Sequence, residues 1–226
     1  DAPGYFTYDA VLNTKEHPTL EETLEQTLKP LTLDKVLELR EEGAYVLDVR
    51  DPAEFEGAHL EGSINIGLGG SYATWAGTLL DGDVPIVIIA EPGREKEAAI
   101  RLGRIGYDRV AGYLADGMQA LEDHSATYRR TERITAAALA EQLSLPNPPA
   151  LIDVRTRNEW QTQRIDGSIN IPLNRLREQI NEVTVDGTVV VCCRTGYRSS
   201  IAASLLAQNG SKGHADLVGG IAAWEA

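Results

Sequence analysis

Two cysteines stand side by side in the stretch VVVCCRTGYRSS, residues 189–200, and the chain holds no others. A β-branched apolar run leads there into a short polar loop with Gly196 and two arginines, Arg194 and Arg198. A loop that leaves a strand and enters a helix suits anion and thiolate chemistry. Helix N-termini offer unpaired N–H groups and partial positive charge, and open α/β sheets bind ligands beyond the carboxyl ends of their strands. The thiolate is the nucleophilic form of cysteine, and such surroundings favour it. Strand alternation sends Cys192 and Cys193 to opposite sides. Cys192 still belongs to the apolar run and reads as a small buried hydrophobe. Cys193 opens the polar loop and reads as the reactive thiol. Gly196 lets the backbone turn so that successive N–H groups point inward. The helix that follows is expected to begin near Ser199 or Ser200. The plainer alternative is an ordinary strand–helix connection that happens to contain cysteine.

Other chemistry finds little footing. Adjacent cysteines could close only a strained ring. There is no CxxC, and His17, His59, His124 and His214 are scattered, so neither a metal nor an organic cofactor is expected. The formal net charge of −13 should repel nucleic acid and anionic membrane. No apolar run approaches the roughly 20 residues of a membrane span. The chain starts at DAPGYF, without methionine and without a signal-peptide pattern. Two thiols that build no disulfide framework fit a reducing, cytoplasmic setting.

The elements that must position Cys193 occur twice. LDVRDPAEFEGAHLEGSINI, residues 47–66, aligns with IDVRTRNEWQTQRIDGSINI, residues 152–171; nine of the twenty positions are identical, among them DVR and GSINI. A repeat at a separation of 105 residues is a duplicated domain, not a solenoid. Each copy reads as AYVLDVR or PALIDVR, a short buried strand; SINI, a second; PIVIIA or TVVVCC, a third; then a helix, EKEAAIRLGRIG or SSIAASLLAQNG, stopped by glycine. RVAGYLADGM and HADLVGGI supply a last strand and turn. LTLDKVLELREEG and ITAAALAEQLSLPNPP read as amphipathic helices ahead of the strands. The expected fold class is α/β: two tandem domains, each a mostly parallel sheet with helices on both faces. Residues 1–30 read as an extended arm with one short helix at LEETLEQTL, residues 31–124 as the first domain and 125–226 as the second, with the boundary near DHSATYRRTER.

DVR with a following glutamate, then GSINIP, then CRTGYRS, then GGIAAW resembles the rhodanese family across almost all of residues 31–226. The resemblance implies a sulfurtransferase in which Cys193 carries sulfur as a persulfide. The loop Arg194, Thr195, Gly196, Tyr197, Arg198 and Ser199 would cradle it, largely through backbone N–H groups. Asp153, Arg155 and Glu159 match the family's DVR and following acid, and support loops and helix ends. Arg164 faces either the site or the surface. The first copy departs from the pattern. Aligning Ile89 with Val191 puts Glu91 at the place of Cys193 and leaves this loop two residues shorter, so the first domain is expected to be inactive. APGYF and LNTKEHP ahead of the tandem pair resemble the tail of larger bacterial proteins. There a metallo-β-lactamase-fold domain of the persulfide dioxygenase type comes first, and such a domain would be fused to or associated with this chain.

Three functions compete. A sulfurtransferase would move sulfur from a small sulfur-containing anion, thiosulfate or a persulfide, to a thiol or cyanide, with Arg194 and Arg198 binding the donor. A phosphatase or arsenate reductase on the same fold needs five residues between cysteine and arginine; here four separate Cys193 from Arg198. A non-catalytic module of a larger persulfide-metabolising enzyme would suit the first domain better than the second.

Overall fold

The structure, a computed structural model, describes residues 28–122, 124, 127–179, 188–211 and 213–226. The expected helix at LEETLEQTL, apart from Leu28, and the segment carrying the likeness to a fused protein lie outside the described residues. The chain divides into two compact units. One takes in the described residues up to Asp51 together with His59–Arg129; the other takes in Pro52–Ala58 and Arg130–Ala226.

In the first unit the chain runs β1 (Pro30–Leu31), α1 (Leu33–Glu41) and β2 (Tyr45–Asp48). After α2 (Pro52–Gly57), which belongs to the second unit, it continues through β3 (His59–Leu60), β4 (Ile64–Asn65), α3 (Tyr72–Leu79), β5 (Ile86–Ile89), α4 (Glu95–Gly103), β6 (Val110–Leu114) and β7 (Tyr128–Arg129). The sheet order is β1-β6-β5-β2-β4, with parallel pairing throughout. Thr32 starts α1 by accepting the Lys35 N–H on its hydroxyl, which satisfies one of the helix's orphan donors. Leu33 and Val36 of α1 pack on Val46, Val87 and Ile89. Leu47 and Ile88 alternate to the other side of those strands and are equally buried. The sheet is therefore covered on both faces, which explains strands written without polar alternation.

The second unit repeats this plan with β8 (Glu132–Ile134), α5 (Ala136–Leu143), β9 (Ala150–Asp153), α6 (Arg157–Thr162), β10 (Ile169–Asn170), α7 (Leu176–Gln179), β11 (Val189–Cys192), α8 (Tyr197–Gln208), β12 (His214–Leu217) and α9 (Gly220–Trp224). Its sheet order, β8-β12-β11-β9-β10, is the same and again parallel. Thr135 caps α5 as Thr32 caps α1. Ile134, Leu139, Leu151, Val190, Cys192 and Leu217 form its core with Ile221 of α9. The strand that ends at Cys192 thus lies in mid-sheet, between β9 and β12.

Candidate active site

Cys192 is the last residue of β11, pairs with Asp153 and is wholly buried. Burial pushes its thiol far above the ordinary range, and the nearby Asp153 adds to the effect. Cys193 follows and turns to the other side of the sheet. Its sulfur accepts the Gly196 N–H at 3.1 Å and lies 3.4 Å from the Ser199 hydroxyl. Gly196 has φ +113° and is the N-cap of α8. That left-handed turn is costly for a residue with a Cβ, and it aims the amide at the sulfur. The helix starts at Tyr197, two residues ahead of its expected start near Ser199 or Ser200. Gly196 caps by its backbone conformation, with no side-chain cap bond. Arg198 and Ser199 consequently sit in the first helical turn, and Arg194 and Thr195 form the exposed tip of the loop. Cys193 itself is only 1 % exposed.

The loop is pinned from behind. Ile221 N–H donates to Cys193 O at 2.8 Å, and Ala222 N–H to Arg194 O at 3.1 Å. Gly220, at φ +58°, permits this approach; a Cβ there would stand 2.3 Å from Cys193 O. The GGIAAW stretch therefore holds the cysteine loop.

Two charge pairs hold the segments around the loop. Arg198 grips Glu159 through both nitrogens, at 2.8 and 2.7 Å. Glu159 is also half of a capping box with Thr156 at the start of α6. The Arg198 guanidinium, with the Thr156 hydroxyl and amide, holds the Glu159 carboxyl down at about 2, against a smaller opposing effect of burial. The fork that could have met an anion alone is thus shared with a carboxylate. Deeper, Arg155 clamps Asp153 through Nε and Nη2, the shortest contact being 2.6 Å, and also donates to Gln163 O at 2.5 Å. Asn170 of GSINI donates to Asp153 O and Arg155 O at 2.9 and 2.8 Å. Asp48, Arg50 and Asn65 repeat this fork in the first unit. The two repeated motifs are therefore two halves of one device, which ties the turn after a central strand to the edge strand. Arg164 stacks over the Trp160 ring, 4.6 Å from its centroid.

Sequence reasoning passed over Asp216. It lies on β12 opposite Val191 and is 1 % exposed. Burial pushes its carboxyl up to about 8; the Glu56 carboxyl adds to the rise, and the Ser199 hydroxyl and Arg133 oppose it. A single acid inside HADLV, a strand otherwise read as apolar, was the available signal.

The first unit corrects the alignment made above. Asp48 pairs with Ile89 as Asp153 pairs with Cys192. Val49 N–H donates to Ile89 O as Val154 N–H does to Cys192 O. Ala90, not Glu91, therefore stands at the place of Cys193. The following helices end alike at Gly106 and Gly210, so this loop is shorter by one residue, not two. Glu91 is the next residue along, and its carbonyl accepts the Arg94 N–H at 3.0 Å in a turn. A uniform run such as PIVIIA carries no mark of register; the neighbouring strand sets it.

Among the described residues no group of three or more His, Cys, Asp or Glu is arranged to hold a metal. No helix among them is long and apolar enough to cross a membrane.

Two tandem parallel α/β domains, one with a cysteine cradled at a strand–helix turn, define the class of protein. The model of the rhodanese-like domain matches residues 32–124 and 135–226, and the chain belongs to that family. It is 36 % identical over 100 residues to YqhL of Bacillus subtilis, an uncharacterized protein, covering 44 % of this chain and 79 % of that one. It is 32 % identical over 91 residues to a sulfurtransferase of Allochromatium vinosum, covering 40 % of this chain and 85 % of the other. The adenylyltransferase and sulfurtransferase uba4 of Ogataea parapolymorpha is 35 % identical over 85 residues, 37 % of this chain and 22 % of that protein, so the chain spans under a quarter of that relative. Among solved structures, a rhodanese-related protein of Thermoplasma volcanium shares 35 % identity over 42 % of this chain and 90 % of its own, with a TM-score of 0.39.

Proposed function

We propose that this chain is a sulfurtransferase that carries sulfane sulfur on Cys193. The observation that carries the reading is the Cys193 sulfur itself, held by the Gly196 amide and beside the Ser199 hydroxyl at the head of α8. In the first half-reaction the Cys193 thiolate attacks the outer sulfur of thiosulfate. The sulfur–sulfur bond of the donor breaks, sulfite leaves with the bonding electron pair, and a persulfide anion remains on Cys193. In the second, cyanide or a thiolate attacks the terminal sulfur, takes it, and returns the Cys193 thiolate. Electrons balance within each transfer, so no external oxidant enters. The donors that stabilise the thiolate can also reach a persulfide anion, and an anion at a helix N-terminus is favoured throughout. Exposed Arg194 meets the anionic donor. Arg198, paired with Glu159, contributes chiefly by fixing the loop to α6. Ala90 at the place of Cys193 supports a non-catalytic role for the first unit. A metallo-β-lactamase-fold domain acting on persulfides, fused to or associated with this chain in the cytoplasm, completes the reading; it rests on the resemblance of the chain's first residues.

The test is a mass measurement. Incubated with thiosulfate and no acceptor, the protein should gain one sulfur atom on the peptide containing Cys193, and cyanide should remove it as thiocyanate. Turnover without that adduct under excess donor would refute a persulfide carrier.

A further inference from the structure

The Ser199 hydroxyl has one hydrogen and more than one claimant. It lies 3.4 Å from the Cys193 sulfur and 3.1 Å from Gly196 O, and the Asp216 carboxyl, which β12 sets beside Val191, two residues before Cys193, is a further acceptor for it. Asp216 is buried, and its Oδ1 has no hydrogen-bond partner. A carboxylate in that position would be stripped of water with half its acceptors unmet, so the neutral acid is favoured. Its surroundings point the same way. From α2 it faces Glu56, 2 % exposed, whose carboxylate meets Arg133 Nε of β8 at 2.7 Å. On β11 its register partner is Val191, with the Cys192 thiol on the opposite face of the sheet, and His214 is the other titratable group on its own strand. Arg133 pairs with Glu56, and no ion pair of Asp216 is found among the described residues, so two ionised carboxyls there would leave one charge without a paired cation.

We propose that Asp216 is a positioning residue for Cys193: while it shares a proton with Glu56 the Ser199 hydrogen is free to turn onto the Cys193 sulfur, and when it ionises it draws that hydrogen away. A neutral carboxyl is a weak acceptor, and the thiolate competes successfully with it. A buried carboxylate is a strong acceptor, and the sulfur then loses a donor and gains a neighbouring negative charge. The buried pair behind the sheet is in this way a proton-controlled setting for the nucleophile, acting through Ser199.

The effect is on the thiol, whatever sulfur compound it handles, so it is tested without sulfur transfer. The full chain is alkylated with iodoacetamide, and the Cys193 peptide is followed by mass from about pH 6 to about pH 9, the range that brackets ionisation of the pair. Asp216→Asn cannot ionise and nearly preserves shape. It should react like the unaltered chain at the acid end, and its rate relative to that chain should climb roughly tenfold at the alkaline end, the worth of one hydrogen bond to a charged group. Ser199→Ala should be slow throughout, and adding Asp216→Asn to it should restore little. Glu56→Gln removes the smaller of the two influences that raise the Asp216 carboxyl, burial being the larger, so the slow form should set in at lower pH than in the unaltered chain, opposite in direction to Asp216→Asn. Difference infrared spectra of the unaltered chain should show a protonated carboxyl that ionises near pH 8. Parallel profiles for Asp216→Asn and the unaltered chain would overturn the proposal. So would an undiminished Asp216→Asn advantage without the Ser199 hydroxyl, or the absence of the carboxyl band.

Discussion

Gly220→Ala should disable the site from behind without touching a reacting group. The added Cβ would stand 2.3 Å from Cys193 O and 2.8 Å from both Arg194 C and Arg194 O. Ordinary contact between such atoms begins near 3.3 Å, so the two segments must separate by about 1 Å. Nothing flexible lies between them; every clashing atom is backbone. Three costs follow. A residue with a Cβ in the left-handed region costs roughly 1–2 kcal/mol. Separation also weakens the bonds from Ile221 N–H and Ala222 N–H, at about 1 kcal/mol each. Together these give about 3–4 kcal/mol, read as a lower urea midpoint. The catalytic cost comes from position, since about 1 Å of displacement of a reacting atom can cost 10²-fold in rate. Gly210→Ala is the control. Its φ is +83°, and a Cβ there meets nothing within 4 Å, so it should pay only the conformational cost and keep its turnover. The assay is thiosulfate-to-cyanide transfer with a urea titration beside it. If Gly220→Ala and Gly210→Ala behaved alike in both, the idea that α9 pins the cysteine loop would be refuted.

Cys193→Ser should end transfer, and Cys192→Ala should retain substantial turnover with lower stability, because Cys192 only fills core volume; the reverse pattern in the transfer assay would exchange their roles. Arg194→Ala should raise KM for thiosulfate about tenfold or more and leave an uncharged sulfane donor nearly unaffected, which paired steady-state assays would show. Ala90→Cys in the first unit should gain no adduct from thiosulfate, because that loop is one residue shorter; an adduct by mass would show that loop length is unimportant. Glu159 is held at about 2 in the folded chain, below its unfolded value, so its stabilisation is present above about pH 4.5 and is lost as pH falls through about 2. Glu159 is about a third exposed, and solvent screening limits the effect to roughly 1 kcal/mol. Glu159→Gln should therefore lower the urea midpoint at neutral pH, and the difference from the unaltered chain should shrink in acid.

Much of the frame was legible because it depends on patterns that sequence displays directly. The β-branched runs at Val189–Cys192 and Ile86–Ile89 announce buried parallel strands, and α1 and α5 lie inside the stretches read as amphipathic helices. The short helices α2 and α6 were not read. Six residues, PAEFEG or RNEWQT, barely complete one and a half turns, too few for a helical period to show. The start of α8 was misplaced because glycine caps by conformation and leaves no side-chain signature. Glu56, Ser199 and Asp216 could not be brought together from sequence. They stand on three elements joined only by the fold; Ser199 was legible as part of the cysteine loop, but Glu56 and Asp216 each look like an ordinary polar residue. Gly220 was visible as part of GGIAAW, but its partner, the Cys193 carbonyl, is backbone and has no letter in the sequence.

The duplication separates what the fold requires from what the chemistry requires. Both units keep the buried Asp–Arg fork and the asparagine that closes it, and both keep the same strand order. An isolated buried ion would cost several kcal/mol, so neither Asp48 nor Arg50 could be lost singly without penalty, whether or not the unit does chemistry. Retention of DVR and GSINI in the first unit is therefore no sign of activity there; it is what holds the turn after the strand. The thiol is under no such constraint. Ala90 and Cys193 are both small and both buried, and exchanging them leaves no charge unpaired and almost no volume unfilled. A unit of this fold can thus carry alanine in place of that thiol at little structural cost and still keep DVR and GSINI.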